Sequence, residues 1–173
     1  MTSLPPNSAV ESDAATRLRQ CASLRTLGLK RKLNLNVPFF GGCACGSIRY
    51  ECANAPIATL NCHCRDCQRS SGAPFASGVV VMTRDLQVSG TPKTYSVRGS
   101  SGGNTTRSFC SECGTPLFTR GEANPEFTSI RFPSLDDPSE FRPMLDIWTS
   151  SAQSWVCLDE RLPHFPQSPP VAE

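Results

Sequence analysis

The chain has 173 residues, which is enough for one domain with a hydrophobic core plus terminal segments outside it. Its 17 basic and 15 acidic side chains give a formal net charge of +2, so composition indicates neither a nucleic-acid-binding nor a membrane-binding surface. No apolar stretch approaches the roughly 20 residues that cross a bilayer, and no apolar secretory signal is present, so we expect a cytoplasmic protein.

The two ends of the chain are predicted to lie outside the domain. Residues 1–36 are predicted to form a flexible extension, and residues 166–173 a disordered tail. Basic side chains dominate the second half of the extension: Arg17, Arg19, Arg25, Lys30, Arg31 and Lys32. Mitochondrial targeting is a minor alternative, because transit peptides are poor in acidic residues and this extension contains Glu11 and Asp13.

Residues 37–165 are predicted to form an all-β domain with few short helices. In SIRYEC the apolar and polar side chains alternate, which is the period-2 pattern of a half-buried strand. Further strands are predicted at ASGVVVM, LQVS, KTYSV, TTRSF, PLFTR and FTSIRF. Helical periodicity is limited to short pieces after Cys64 and within residues 148–155.

Ten cysteines are the most informative feature of the composition. Without an export signal, metal ligands or free thiols are expected rather than disulfides. Three groups have the spacing of metal ligands: Cys43 with Cys45, Cys62 with Cys64 and Cys67, and Cys110 with Cys113. Cys52 and Cys157 lie in apolar runs, where they are expected to pack as small apolar side chains.

Two of these groups each supply half of a tetrahedral metal site. Cys43 and Cys45 are two residues apart on an extended chain, so their side chains point to the same side. Cys110 and Cys113 form a knuckle, and Gly114 permits the backbone conformation that such a turn often needs. These four cysteines are predicted to close a structural zinc site, which leaves no room for a substrate.

Cys62, Cys64 and Cys67 remain, and three protein ligands with an open fourth position are typical of a catalytic zinc. The alternative is a second closed site, for which the candidate fourth ligands are His63, Asp66, Cys52 and His164. In an extended segment His63 faces away from the flanking cysteines, so a position at the surface or behind the ligands is favoured. A redox role of the Cys-x-x-Cys pairs is the weaker interpretation, because the sequence lacks the βαβ pattern of thioredoxin-like motifs.

Six motifs, in this order, make the chain resemble the glutathione-dependent formaldehyde-activating enzyme family, which includes the centromere protein V group. They are GGCACGSIRYEC, CHCRDCQRSSGAPFASG, RSFCSECGTPLF, SLDDP, DIWTSSAQSW and LPHF. The resemblance spans residues 39–165 and implies a β-tent type of fold with small antiparallel sheets stabilised by zinc. It implies two zinc ions per chain, a structural one at Cys43, Cys45, Cys110 and Cys113 and a catalytic one at Cys62, Cys64 and Cys67. Ala44 departs from the pattern, since many members have histidine there.

The resemblance also implies a carbon–sulfur lyase similar to S-(hydroxymethyl)glutathione synthase. Three thiolates leave a bound zinc ion with net negative charge, and such a centre suits sulfur chemistry. We therefore expect the protein to add glutathione or another thiol to formaldehyde or another aldehyde, or to cleave such an adduct. Arg69 and Arg107, each close to a zinc motif, are candidate contacts for the glutathione carboxylates. The alternative is that they are surface residues or partners of Asp66 and Glu112.

The competing hypothesis is a non-catalytic zinc-binding module for protein or nucleic acid. Its sequence support is limited to the basic residues of the extension, so a nucleic-acid partner is not favoured. Nothing in the sequence indicates a membrane partner or an oligomeric state.

Overall fold

The computed structural model describes residues 36–99 and 102–169. All of these except residues 157–159, which are assigned to a second unit, belong to one compact unit. The predicted extension lies outside the described residues except for Asn36, and so do residues 170–173 of the predicted tail. Within the described ranges, none of the helices has the length and apolar character that crossing a bilayer requires.

The described residues form eleven strands and one α-helix. The strands are β1 (Phe39–Gly42), β2 (Arg49–Cys52), β3 (Ala58–Cys62), β4 (Ala76–Met82), β5 (Leu86–Ser89), β6 (Lys93–Arg98), β7 (Asn104–Phe109), β8 (Pro116–Gly121), β9 (Phe127–Arg131), β10 (Leu145–Ile147) and β11 (His164–Phe165). The helix α1 spans Arg65–Ser71, and single 3-10 turns occur at Thr83–Asp85, Phe132–Ser134, Pro138–Glu140 and Thr149–Ser151. The prediction of a mainly β domain with few short helices is confirmed.

The strands form two sheets. A three-stranded antiparallel sheet has the order β1-β2-β5. An eight-stranded sheet has the order β11-β10-β3-β4-β9-β8-β7-β6. Its neighbouring strands are antiparallel except that β10 runs parallel to both β3 and β11. The mainly antiparallel arrangement is as predicted, and β10 extends the sheet through two parallel pairings that the sequence pattern did not indicate.

The strand β2 follows the alternation seen in its sequence. Ile48, Tyr50 and Cys52 are buried, whereas Arg49 and Glu51 face solvent. The strand lies between β1 and β5, so its backbone groups pair on both sides. Burial of one face and pairing of both edges together fix its register.

The main hydrophobic core includes side chains from both sheets. Tyr50 of β2 packs edge-to-face on Phe118 of β8, with ring centroids 5.3 Å apart. Leu117, Ile130 and Val79, from β8, β9 and β4, are completely buried. Burial of each large aliphatic side chain stabilises the fold by about 1.5–3 kcal/mol. This core holds in place the strands that lead into the cysteine-containing turns.

Candidate metal centres

The structure brings four cysteines together in what we call the four-cysteine cluster: Cys43, Cys45, Cys110 and Cys113. Their sulfur atoms all lie within 4.8 Å of one another. Cys43 Sγ is 3.4 Å from Cys45 Sγ, which is 3.6 Å from Cys110 Sγ. Tetrahedral zinc with Zn–S bonds of about 2.3 Å needs sulfur atoms about 3.8 Å apart. The spacing and chemistry of the donors therefore fit a zinc ion, as the sequence predicted.

Two tight turns position these sulfur atoms. After β1, Gly46 N–H donates to Cys43 O at 3.1 Å, and after β7, Gly114 N–H donates to Cys110 O at 3.0 Å. Both glycines have positive φ, 80° and 72°, which strains other residues. Because one turn follows a strand of the small sheet and the other a strand of the large sheet, the cluster joins the two sheets.

Hydrogen bonds favour the thiolate form of Cys113 in the four-cysteine cluster. Thr115 Oγ1 is 3.1 Å from Cys113 Sγ. Hydrogen bonds from the Thr115 hydroxyl, and next from its backbone N–H, lower the pKa of the Cys113 thiol to about 5. At neutral pH this sulfur is therefore a thiolate, which is the form that binds a metal ion.

The structure also assembles the three-cysteine cluster, which comprises Cys62, Cys64 and Cys67. Cys62 ends β3, Cys64 caps the N-terminus of α1, and Cys67 lies in its first turn. All three sulfur atoms lie within 4.8 Å of one another, with 3.5 Å between Cys62 and Cys64, so this spacing also fits zinc. No fourth His, Cys, Asp or Glu of the described residues joins this group.

The candidate fourth ligands have other partners. Asp66 Oδ1 lies 3.8 Å from Arg69 Nη1, and Cys52 Sγ lies 3.5 Å from the Asn54 carbonyl oxygen. The two histidines, His63 and His164, both face Asp146. Among the described residues the cluster therefore keeps the three-ligand composition that the sequence predicted.

Cys64 is the most acidic sulfur of the three. Its Sγ accepts hydrogen bonds from the thiol of Cys62 at 3.5 Å and from the Cys67 backbone N–H at 3.4 Å. Hydrogen bonds from Cys62 and Cys67 lower the pKa of Cys64 far below the usual thiol range, whereas the bond to Cys64 raises the pKa of Cys62. The cluster thus concentrates negative charge at one point, where a metal cation would be stabilised.

His63 lies behind the metal ligands. Its Nε2 is 2.9 Å from Asp146 Oδ1, and its ring centroid is 5.2 Å from that of Phe75. Because a carboxylate oxygen accepts, Nε2 donates, and Nδ1 has no hydrogen-bond partner among the described residues. The prediction that His63 faces away from the cysteines agrees with this geometry. A surface position, the other possibility, is wrong, because only 1% of His63 is exposed.

Gln68 on α1 secures the same turn and was not predicted from the sequence. Its Nε2 donates to His63 O at 2.6 Å and to Ser151 O at 3.0 Å, and its Oε1 accepts from Gln153 Nε2 at 2.9 Å. The side chain is buried and ties the cysteine segment to the turn after β10. In the sequence, nothing about a glutamine directly after Cys67 indicates this role.

The predicted anion contacts lie in different places. Arg69 is on α1 beside Cys67, and its side chain is 73% exposed. Arg107 is on β7, which β4, β9 and β8 separate from β3 and Cys62. Of these two arginines, only Arg69 is therefore close to the three-cysteine cluster. Cys157 is exposed, so the prediction that it packs as a small apolar side chain is wrong, whereas Cys52 is buried as predicted.

A family model described as glutathione-dependent formaldehyde-activating enzyme matches residues 38–151, which include both cysteine clusters. A crystal structure of a Rhodobacter sphaeroides protein is similar at 24% sequence identity and a TM-score of 0.46, covering 56% of this chain and 87% of that chain. No curated protein matches the chain.

Proposed function

The chain belongs to the glutathione-dependent formaldehyde-activating enzyme family, and we propose that it is a zinc-dependent carbon–sulfur lyase. In this proposal it joins glutathione or another small thiol to formaldehyde or another aldehyde, or cleaves such an adduct. The catalytic domain spans residues 37–165. The reaction takes place in the cytoplasm, where thiols stay reduced.

The four-cysteine cluster holds the structural zinc in this proposal. Its four sulfur ligands complete a tetrahedron, so no position remains for a substrate. Cys43 and Cys110 are buried, and the cluster joins the two sheets. Its role is to fix the domain.

The three-cysteine cluster is the proposed catalytic centre, and one observation carries this: three sulfur ligands converge with no fourth protein ligand among the described residues. Zinc held by these three cysteines would supply Lewis acidity that favours the thiolate form of a substrate thiol. The chain's own residues fix the geometry, since Cys64 caps α1 and His63 and Gln68 anchor the turn behind it. The resulting rigid site positions the incoming sulfur atom.

The reaction is a balanced addition. The thiol sulfur forms a bond to the carbonyl carbon, the carbonyl π electrons move to oxygen, and that oxygen takes up the proton that the thiol loses. Cleavage is the reverse. Arg69 is the proposed contact for a glutathione carboxylate, because it is exposed on the helix that carries Cys67. Arg107 is a weaker candidate on account of the intervening strands.

The test combines metal content with adduct formation. We expect two zinc ions per chain by mass spectrometry, one for each cluster. Exchange NMR with carbon-13 formaldehyde and glutathione then gives the rate, with the uncatalysed reaction in buffer as baseline. Cys64→Ser is expected to lose one zinc ion and the catalysed rate while keeping the fold. Cys157 is an exposed cysteine outside both clusters, so Cys157→Ser is the matched control. It should keep both zinc ions and the catalysed rate.

Two outcomes would contradict the proposal. If Cys64→Ser keeps the full catalysed rate, the three-cysteine cluster is not the catalytic centre. If the zinc-loaded protein gives no rate above buffer with any pair of aldehyde and thiol, the non-catalytic zinc module becomes the better hypothesis.

A further inference from the structure

Arg131, the last residue of β9, is buried, with 6% of its surface exposed. Its Nη2 donates a hydrogen bond of 2.6 Å to Ser70 Oγ on α1. The Ser70 hydroxyl in turn donates to the carbonyl oxygen of Cys67 at 3.1 Å. The guanidinium is therefore fixed against the helix that carries one of the three clustered cysteines.

The register of the large sheet places Arg131 and Cys62 on the same face. Arg131 pairs with Gly78 on β4, and Ala76, two residues earlier on β4, pairs with Cys62 on β3. Directly paired residues, and residues two apart on one strand, point to the same face. Gly78 itself has no side chain, and the Ser129 hydroxyl occupies the position that a Cβ there would take.

Arg131 has no carboxylate partner within residues 36–99 and 102–169. Some other arginines in that part of the chain do have one, such as Arg49 with Asp136 and Arg69 with Asp66, whereas the exposed Arg120 bonds the Thr128 hydroxyl. Removing a guanidinium from water without a nearby anion is strongly unfavourable. A buried arginine whose hydrogen-bond partner is a hydroxyl therefore indicates another source of negative charge beside it.

The three-cysteine cluster is such a source. Hydrogen bonds through the Ser70 hydroxyl link the Arg131 guanidinium to the backbone of Cys67, and the sheet register places Cys62 on the same face as Arg131. Arg131 is therefore within electrostatic range of the cluster. Three thiolates around a divalent metal ion retain net negative charge, and a fourth anionic ligand would increase it.

We propose that Arg131 is the fixed countercharge of the three-cysteine centre and makes its open position selective for anionic ligands over neutral ones. The inference rests on the proposed function in that the natural anionic ligand is a thiolate. Arg131 acts on the charge balance of the centre and is thus a positioning residue. Its countercharge lowers the electrostatic cost of bringing a second negative group to an already negative site.

The test uses the cobalt(II)-substituted full-length protein and two probes that bind metal ions, anionic thiocyanate and neutral imidazole. Binding is followed by the change in the visible cobalt spectrum on adding the probe. Cobalt in the four-cysteine cluster absorbs as well, but its bands should stay constant because that site lacks an open position. We expect Arg131→Gln to weaken thiocyanate binding about 30-fold, as for a unit charge acting across a partly buried site. Imidazole binding should change less than about twofold, because a neutral ligand feels little of that charge.

Matched variants separate charge from structure. Arg84→Gln removes the same charge from a side chain that is 78% exposed, and it should leave both affinities unchanged. Ser70→Ala removes the hydrogen bond of Arg131 and keeps the charge, so thiocyanate binding should stay within about threefold of wild type. Arg131→Lys should keep the preference for thiocyanate for the same reason.

Several outcomes would overturn the inference. One is a folded Arg131→Gln protein whose affinity for thiocyanate is unchanged, and another is an equal loss for thiocyanate and imidazole. If Arg131→Gln does not fold, Arg131→Lys decides, because a folded lysine variant without the anion preference excludes a role for charge. The assay contains neither aldehyde nor glutathione, so failure of the proposed catalysis and failure of the countercharge are observed separately.

Discussion

Asp146 on β10 is the buried acceptor on which the cysteine turn depends. It is 2% exposed, and its Oδ1 accepts hydrogen bonds from His63 Nε2 at 2.9 Å and from Asn61 Nδ2 at 3.1 Å. His164 Nε2 lies 3.7 Å from the other carboxylate oxygen. Asp146→Asn keeps the shape of the side chain but removes its negative charge and replaces one acceptor oxygen by an NH₂ group, which cannot accept.

The expected loss of stability follows from these contacts. Hydrogen bonds to a charged acceptor contribute about 1.5–3 kcal/mol each, and a buried donor left without an acceptor costs about 1–3 kcal/mol. The amide oxygen of asparagine can take the place of Oδ1 and accept both bonds, but without the negative charge each bond contributes only about 0.5–1.5 kcal/mol, so the net loss is expected to be about 2 kcal/mol. A domain of ordinary stability, about 5–15 kcal/mol, remains folded after such a loss.

Urea denaturation of the zinc-loaded protein measures this change, and Glu51→Gln on the solvent face of β2 is the control that should show no loss. Because His63 lies between two metal ligands, Asp146→Asn should also weaken metal binding at the three-cysteine cluster and not at the four-cysteine cluster. Metal competition with a chromogenic chelator reports both sites. A loss below about 1 kcal/mol would refute the idea that this carboxylate holds the turn.

Two further predictions concern the small sheet. Gly41→Ala should destabilise the domain by about 3 kcal/mol, because an added Cβ would lie 2.1 Å from Tyr50 Oη. Gly121→Ala is the control and should have little effect in the same urea denaturation, because no atom lies within 4 Å of the new Cβ. Equal losses of stability in the two variants would contradict this prediction. The hydrogen bond from Arg49 lowers the pKa of Asp136, so their ion pair contributes stability above the ordinary carboxyl pKa and loses it as pH falls through the lowered value. Both side chains are about half exposed, so the free energy of unfolding of Asp136→Asn should be less than about 1 kcal/mol below that of wild type at pH 7. This difference in free energy of unfolding should become smaller below about pH 4. A difference that grows on acidification would contradict a stabilising ion pair.

Most of the strands could be predicted from the sequence, because their apolar side chains alternate. The predicted ASGVVVM and LQVS coincide with β4 and β5. Four strands were missed: β1, β3, β10 and β11. The sequences of three of them explain why, since β1 is half glycine, β10 has three residues around a buried aspartate, and β11 has two residues. Such strands exist because neighbouring strands pair with them, which local patterns do not encode.

The cysteine clusters could likewise be predicted, since ligand spacing is a local property of the chain. The residues that support them could not. Asp146, Gln68 and Arg131 acquire their roles from burial and from partners that are distant in sequence. In sequence, Arg131 ends an ordinary alternating strand, and only the sheet register places it on the face of Cys62.

The different spans of the two clusters bear on how the protein acquires its metal. Cys62, Cys64 and Cys67 lie within one turn of chain, so they can meet around an ion before any sheet has formed. The four-cysteine cluster must instead close a loop of 65 residues between Cys45 and Cys110. Closing the longer loop costs about 2 kcal/mol more in chain entropy. If both clusters bind zinc as proposed, a newly made chain would therefore assemble the three-cysteine site before the four-cysteine site that joins its sheets.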